Sequence, residues 1–244
     1  MFTTAILDID NCFEKLSELI FESNIKNRKE AVLVDNKNGL IPIVRTTSTY
    51  NNPAQQFLPI HFDLMDKIRS ATSTTIIFNN ALIEIYGSEY RTMKYHTDHT
   101  LDLADDSYIC LFSCYDNPTT PRKLQIKNKI TLDEEQIILQ NNSIVLFSVD
   151  TNQKHLHKII YDGPKSNALW LGITFRLSKQ NITFIDNLPY FYHSMIMLRI
   201  ANIDERKEFY KHKQMENQST NYKYPVITYT ISPSDLKPID NSSL

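Results

Sequence analysis

Side chains able to do chemistry gather at three points in this 244-residue chain. The first is Tyr95-His96-Thr97-Asp98. On a strand, residues two apart share a face, so His96 and Asp98 can reach a single ion. The second is His155-Leu156-His157, again two imidazoles on one face. The third is Thr174-Phe175-Arg176-Leu177-Ser178, closing the last strong strand pattern. An imidazole and a carboxylate from one strand, joined by a distant imidazole, make a 2-His-1-carboxylate set. Such a set fills three facial positions of Fe(II) and leaves three open for substrate-derived ligands and O2. An arginine buried near it is costly unless it meets an anion, and a dicarboxylate co-substrate would supply one. Each pattern has an ordinary explanation: His-x-Asp occurs by chance, His-x-His packs within sheets, and a terminal arginine often lies on a solvated edge. Their order singles them out, with His-x-Asp followed after about sixty residues of β pattern by His, and after about twenty more by Arg.

The elements that must position these groups are mostly short strands. TTIIF, ALIEIY, RTMKYHTD, SYICLFSCY, KLQIKN, EEQIILQ, SIVLFSV, HLHKIIY and ALWLGITFR follow one another, separated by Asn, Asp, Pro and Gly. That texture predicts an antiparallel sandwich or barrel. Upstream, the spacing of Phe13, Leu16 and Ile20 predicts a helix over 11–24, with Asp10 or Asn11 as its cap. AVLVD (31–35) and LIPIVRTT (40–47) read as strands around the turn NKNG, and 60–72 reads as a second amphipathic helix carrying Leu64, Ile68 and Ala71. Past residue 180 the pattern predicts a helix near 186–215, then the strand YPVITYTI. We read one domain over 1–244: N-terminal helices and a lid segment (1–75), a β core (76–180) and a C-terminal extension (181–244). The aromatic and Met-rich LPYFYHSMIMLRI of the extension is expected to cover the core.

Composition excludes several classes. Only four glycines are present, Gly39, Gly87, Gly163 and Gly172, too far apart for a dinucleotide fingerprint or a P-loop. The formal charge of −2 does not suit a protein bound mainly through many phosphates. Three cysteines, Cys12, Cys110 and Cys114, lack zinc-site spacing and predict reduced, buried thiols and an intracellular, cytoplasmic or nuclear, location. The start MFTTAILDID does not read as a signal peptide, and no apolar run approaches the roughly 18 residues of a membrane span.

From about residue 42 to 178 the chain resembles the AlkB-like 2-oxoglutarate and Fe(II)-dependent dioxygenases. PIVRTTSTY (42–50) is similar to that family's Pro-Arg-x-Thr-x-x-Tyr segment, which leads into its substrate lid. FNNALIEIYGSEYRTMKYHTD (78–98) is similar to its Phe-Asn-x-x-Leu-x-Asn-x-Tyr run ending in His-x-Asp, and SYICLFSCYDNP (107–118) to its Ile-x-x-Leu-Ser strand. SIVLFSV with His157-Lys158-Ile159 resembles its distal His strand, and LGITFR (171–176) its closing Leu-Thr-Phe-Arg. The resemblance implies a double-stranded β-helix (jelly-roll, cupin-like) core within a mostly β protein with flanking helices. It implies Fe(II) held by His96, Asp98 and His157, with His155 and His99 as competitors, and 2-oxoglutarate and O2 as co-substrates. Tyr86 would hydrogen-bond the oxoglutarate, Arg176 would pair with one of its carboxylates, and Ser178 would complete an Arg-x-Ser pair.

Two positions depart from the family. Trp170 stands where a second arginine belongs, and Glu84 stands two places before Tyr86 where the family has Asn. An indole offers one N–H and no charge, and a carboxylate beside an anion repels it. Lys94 or Lys158 could supply the missing cation, or the 2-oxoacid could differ. The implied activity is oxidation of a C–H or N-methyl group, the latter releasing formaldehyde. The resemblance points first to methylated nucleic acid, with Arg45, Thr47 and Tyr50 near a flipped base and Arg122, Lys123, Lys127 and Lys129 as a small basic cluster. A protein side chain or a small metabolite is the alternative substrate, favoured by the mild acidity, and a non-catalytic β-barrel binding module is the third reading. No membrane partner is expected, and the sequence leaves the oligomeric state open.

Overall fold

The computed structural model describes residues 1–10, 12–117 and 120–239. In chain order the elements are β1 (Thr3–Ile6), α1 (Cys12–Leu16), β2 (Glu22–Ile25), β3 (Arg28–Val34), β4 (Ile41–Pro42), β5 (Gln55–Gln56), α2 (Pro59–Thr72), β6 (Asn80–Gly87) and β7 (Tyr108–Tyr115). They continue with β8 (Arg122–Asn128), β9 (Glu134–Leu139), β10 (Ser143–Ser148), α3 (Val149–Lys154), β11 (His155–Ile160), β12 (Leu169–Arg176), β13 (Asn181–Ile185), β14 (Leu188–Phe191), β15 (Arg199–Ile200), α4 (Ile203–Gln218) and β16 (Tyr229–Thr230). A single 3-10 turn, Pro233–Leu236, follows.

Two sheets face each other. The larger runs β1-β10-β7-β12-β6-β3-β2, with β5 beside β3, and the smaller runs β11-β8-β9. The chain is thus mostly β, with a jelly-roll core and flanking helices. The period of two in β12 explains the layering. Leu171, Ile173 and Phe175 join Leu33, Leu64, Ile68 and Phe112 under α2, whereas Trp170 points the other way and joins Tyr86, Leu111, Leu124 and Val145 between the sheets. Each fully buried large apolar side chain contributes roughly 1.5–3 kcal/mol.

α2 carries its own start and stop. Pro59 opens it, His61 Nδ1 accepts from the Leu58 N–H at 2.8 Å, and Ser73 closes it in a left-handed conformation, φ 52°. Its buried face is His61, Leu64, Met65 and Ile68, and Ala71 is exposed. α3 is capped by Ser148, whose Oγ accepts from the Thr151 N–H at 3.0 Å, and it runs directly into the strand that carries His157. α4 opens with a capping box, in which Asn202 accepts from the Asp204 and Glu205 N–H groups and Glu205 accepts from the Asn202 N–H.

The structure corrects several sequence expectations. The helix over 11–24 is five residues long; Glu22–Ile25 instead pairs with β3 through a turn at Asn27, φ 63°, which leaves Ile20 exposed. Asn11 lies outside the described residues. The segments around NKNG do not form a hairpin ladder: β3 pairs with β2, β5 and β6, and Ile41–Pro42 pairs with β13. The helix near 186–215 begins only at Ile203, because Asp186 and Asn187, both at positive φ, turn β13 back into β14. TTIIF lies outside any strand, RTMKYHTD makes only isolated bridges at Thr92 and His96, and most of YPVITYTI is likewise outside any strand. All three cysteines are free and buried. Among the described residues, no helix is long and apolar enough to cross a membrane.

Candidate metal centre

His96 and Asp98 lie on the extended segment between β6 and β7, and His157 lies on β11 of the smaller sheet. Two isolated bridges join the segment to that sheet, Thr92 with Ile160 and His96 with His157; in the second the His96 N–H donates to the His157 carbonyl at 3.0 Å, and the return bond is 2.7 Å. The three side chains converge, with one ligand atom from each lying within 4.8 Å of the others. Asp98 Oδ1 is 3.4 Å from His157 Nε2 and 3.7 Å from His96 Nε2. Asp98 Oδ2 faces away and accepts from Arg176 Nε at 3.1 Å and Nη2 at 2.9 Å. His96 Nδ1 is 3.0 Å from the Lys94 carbonyl. A proton held there leaves the Nε2 lone pair for an ion.

The electrostatics favour a cation. Burial, with His157 beside it, pushes the His96 imidazole down to about 3, so it stays neutral. Burial works against ionisation of Asp98, but Arg176 and the two imidazoles outweigh it and hold the carboxyl well below its usual range. Two imidazoles, that of His96 held neutral, and one carboxylate are the donor set that the sequence order suggested.

The residues flanking Asp98 have no ladder of their own, and other elements satisfy their backbone. Asn152 of α3 accepts from the Asp98 N–H at 2.9 Å and donates to its carbonyl at 3.0 Å. Asn217 of α4 accepts from the Thr97 N–H at 3.0 Å, and Lys213 donates to the Thr97 carbonyl. Glu216 accepts from the Thr100 N–H at 2.9 Å and its hydroxyl at 2.6 Å, and pairs with Lys213 at 2.7 Å. These supports were missed in the sequence. α4 lies more than a hundred positions away, and its weakly amphipathic pattern gives no sign that Lys213 and Glu216 face inward.

The centre opens on a cavity of about 290 Å³. Of the sequence candidates, Tyr86, Arg176, Thr47 and Tyr50 line it, as do Lys94 and Glu84. Three expectations need correction. Arg45 is not in this cavity: it is buried against Asp102 at 2.7 Å, and its Nη1 donates to the carbonyls of Ile227 and Tyr229. Ser178 is not there either, since its hydroxyl donates to the Ile43 carbonyl at 2.6 Å. Arg176 is present but committed to Asp98. His155 stands apart, its Nδ1 2.8 Å from the Thr151 carbonyl and its ring edge-on to Phe2. His99 is stacked between Phe209 and Tyr224, at 5.1 and 4.9 Å. Lys158 lies over the Tyr95 ring at 4.4 Å.

The expected basic cluster does not form a patch. Arg122 is buried, Lys123 pairs with Asp162, Lys127 pairs with Glu134, and Lys129 donates to the carbonyls of Glu216 and Ser219. The cavity's own missed residue is Arg28 of β3, opposite Tyr86 in the ladder. Its signal was present in the alternation Arg28-x-Glu30, which puts two charges on one face of a strand that is apolar from Ala31 on. Trp170 sits beneath Tyr86, ring centroids 4.8 Å apart, with its indole folded over Gly172.

Fold and site together define a class: a jelly-roll protein with a His-Asp-His group at the mouth of an internal cavity. No family model matches the chain, and no curated protein matches it. Among solved structures it is similar to OsALKBH1 at 14% identity, over 64% of this chain and 83% of that one, with a TM-score of 0.44.

Proposed function

We propose that this protein is an Fe(II)- and 2-oxoacid-dependent dioxygenase, with His96, Asp98 and His157 as the iron ligands. The observation that carries the proposal is the convergence of two imidazoles and one ionised carboxylate at a cavity mouth. Two imidazoles and one carboxylate are the donor types of the iron sites that keep positions open for a 2-oxoacid and O2. Bound iron would supply oxidation by O2 coupled to decarboxylation of the 2-oxoacid. The chain's own residues do the positioning. The Lys94 carbonyl fixes the His96 ring, Arg176 orients Asp98, and Asn152 holds the Asp98 backbone. Tyr86 stays a neutral donor toward the cavity, because burial and the Glu84 carboxylate push its hydroxyl well above the ordinary value. The metal-facing end suits a 2-oxoacid, 2-oxoglutarate being the co-substrate the sequence resemblance implies. The far end, where Arg28 already lies between Glu30 and Glu84, does not suit a second carboxylate.

The oxidised group is a C–H or N-methyl carried by a ligand small enough for the cavity. Thr47 and Tyr50 in its wall support an extruded methylated base. The dispersal of Arg122, Lys123, Lys127 and Lys129 favours the second reading, a protein side chain or a small metabolite, over a duplex. An iron-supplemented 2-oxoacid turnover assay against methylated oligonucleotides, peptides and metabolites tests this. Turnover lost in His96→Ala and Asp98→Ala supports the dioxygenase. Turnover that survives those changes refutes the ligand assignment, and none with any substrate leaves the binding-module reading.

A further inference from the structure

The cavity has two ends. His96, Asp98 and His157 form one. At the other stand Arg28, Glu84, Tyr50 and Tyr86. On β12, Arg176 marks the metal end and Trp170, opposite Tyr86, the far end, six residues along the strand. Among the described residues, Nε of Arg28 and the hydroxyls of Tyr50 and Tyr86, all lining the far end, are buried with no hydrogen-bond partner, as are the neighbouring Trp170 Nε1 and Glu30 Oε2. Both tyrosines are more than nine-tenths buried. Burial lifts both phenols above their ordinary value, so each keeps its proton, and an arginine N–H can only donate. Unpaired buried donors call for an acceptor.

Charge at the same end selects the kind of acceptor. Arg28 Nη2 is 2.6 Å from Glu30 Oε2 and 2.6 Å from Glu84 Oε1. One guanidinium between two carboxylates leaves no positive surplus. Other cations do not make up the difference. Arg122 is turned to the carbonyls of Tyr90 and Gly87, both at 2.8 Å, and is absent from the residues that line the cavity. Arg176 and Lys213 are committed near the metal, and Lys94 is exposed. A carboxylate placed here would face Glu84 in a poorly solvated space, where like charges repel far more than in water.

We infer that the end of the cavity opposite the His-Asp-His group is a subsite for an uncharged hydrogen-bond acceptor, such as an amide carbonyl, held by Arg28, Tyr50 and Tyr86. The preferred co-substrate is then a 2-oxoacid ending in such a group, not in a second carboxylate. This rests on the 2-oxoacid reading above and sharpens it.

The test is binding, not turnover. The intact chain is loaded with Mn(II) and titrated by calorimetry with 2-oxoglutarate, with the same acid carrying an amide in place of the far carboxylate, and with one ending in methyl. The amide is expected to bind at least about tenfold more tightly than either. Glu84→Gln, which keeps the shape and removes one charge, should raise 2-oxoglutarate affinity about tenfold and leave the amide nearly unchanged. 2-Oxoglutarate binding as tightly as the amide, or tighter, overturns the subsite, as does a methyl-ended acid that matches the amide. If Mn(II) binds and none of the three acids does, the 2-oxoacid reading itself fails and the subsite falls with it.

Discussion

His96 and His157 exchange both backbone hydrogen bonds, at 3.0 and 2.7 Å, and this one bridge brings their rings to a centroid distance of 4.7 Å. The two imidazoles are therefore pre-set before any ion arrives, and Asp98 completes the group from two residues on. Replacing His96, Asp98 or His157 by Ala should reduce Mn(II) affinity by more than the 10–100-fold typical of losing an outer hydrogen-bond partner. Calorimetry on the folded variants measures it. Unchanged affinity in any one of them removes that residue from the ligand set.

Glu216 should affect the ion without touching it. Its carboxylate accepts two hydrogen bonds from Thr100 and pairs with Lys213, which in turn holds the Thr97 carbonyl. Glu216→Ala leaves a buried lysine without its partner, and removing one side of such a pair costs about 3–5 kcal/mol. The expected outcome is a lowered unfolding midpoint and metal affinity reduced about tenfold in the protein that remains folded. Metal affinity equal to the parent would confine α4 to a packing role.

Gly172 has no space for a methyl. A Cβ there would lie 2.1 Å from the Trp170 indole, so Gly172→Ala must displace the ring. Overpacking of this kind costs about 1–3 kcal/mol. Trp170 is the sole tryptophan, so its emission should shift along with the denaturant midpoint. Adding Trp170→Phe to Gly172→Ala should recover part of the loss. An unchanged midpoint in the single variant would show that the indole is not held where it is described.

His61 should make the protein acid-sensitive independently of the metal. It is fully buried, and burial pushes its imidazole down to about 4 from an ordinary value near 6.5. Between those values the unfolded chain binds the extra proton. The contribution to stability is therefore complete above about 6.5 and is lost as pH falls toward 4, by roughly 3 kcal/mol in all. His61→Gln, which can still accept from the Leu58 N–H, should flatten that share of the pH dependence. Parallel stability curves for parent and variant between pH 7 and 4 would contradict this.

The strand-rich core was legible because β6, β7, β8, β10, β11 and β12 each carry a strong apolar or alternating pattern. The centre was legible because the spacing in His-x-Asp survives even where no ladder forms: an extended backbone still puts His96 and Asp98 on one side. Arg45, Ser178 and the basic cluster were placed wrongly for a common reason. Residue type shows that a charge or hydroxyl is available, whereas its partner is decided by distant segments. Asp102 and the 227–229 carbonyls take Arg45, the Ile43 carbonyl takes Ser178, and separate acids and carbonyls take Lys123, Lys127 and Lys129. The helix over 11–24 failed because helical spacing of three apolar residues cannot outweigh the pairing of Glu22–Ile25 with an available sheet edge.

Arg122 belongs to the smaller sheet, yet its guanidinium grips the Gly87 carbonyl at the end of β6 in the larger one. At the opposite margin, His157 of the smaller sheet and Arg176 of the larger meet only through Asp98, which belongs to neither. An ion held by His96, Asp98 and His157 would tie the two layers together at this second margin, as Arg122 ties them at the first. Amide exchange in 91–103 would then serve as a gauge of occupancy, with the region around Gly87 as its unchanging reference.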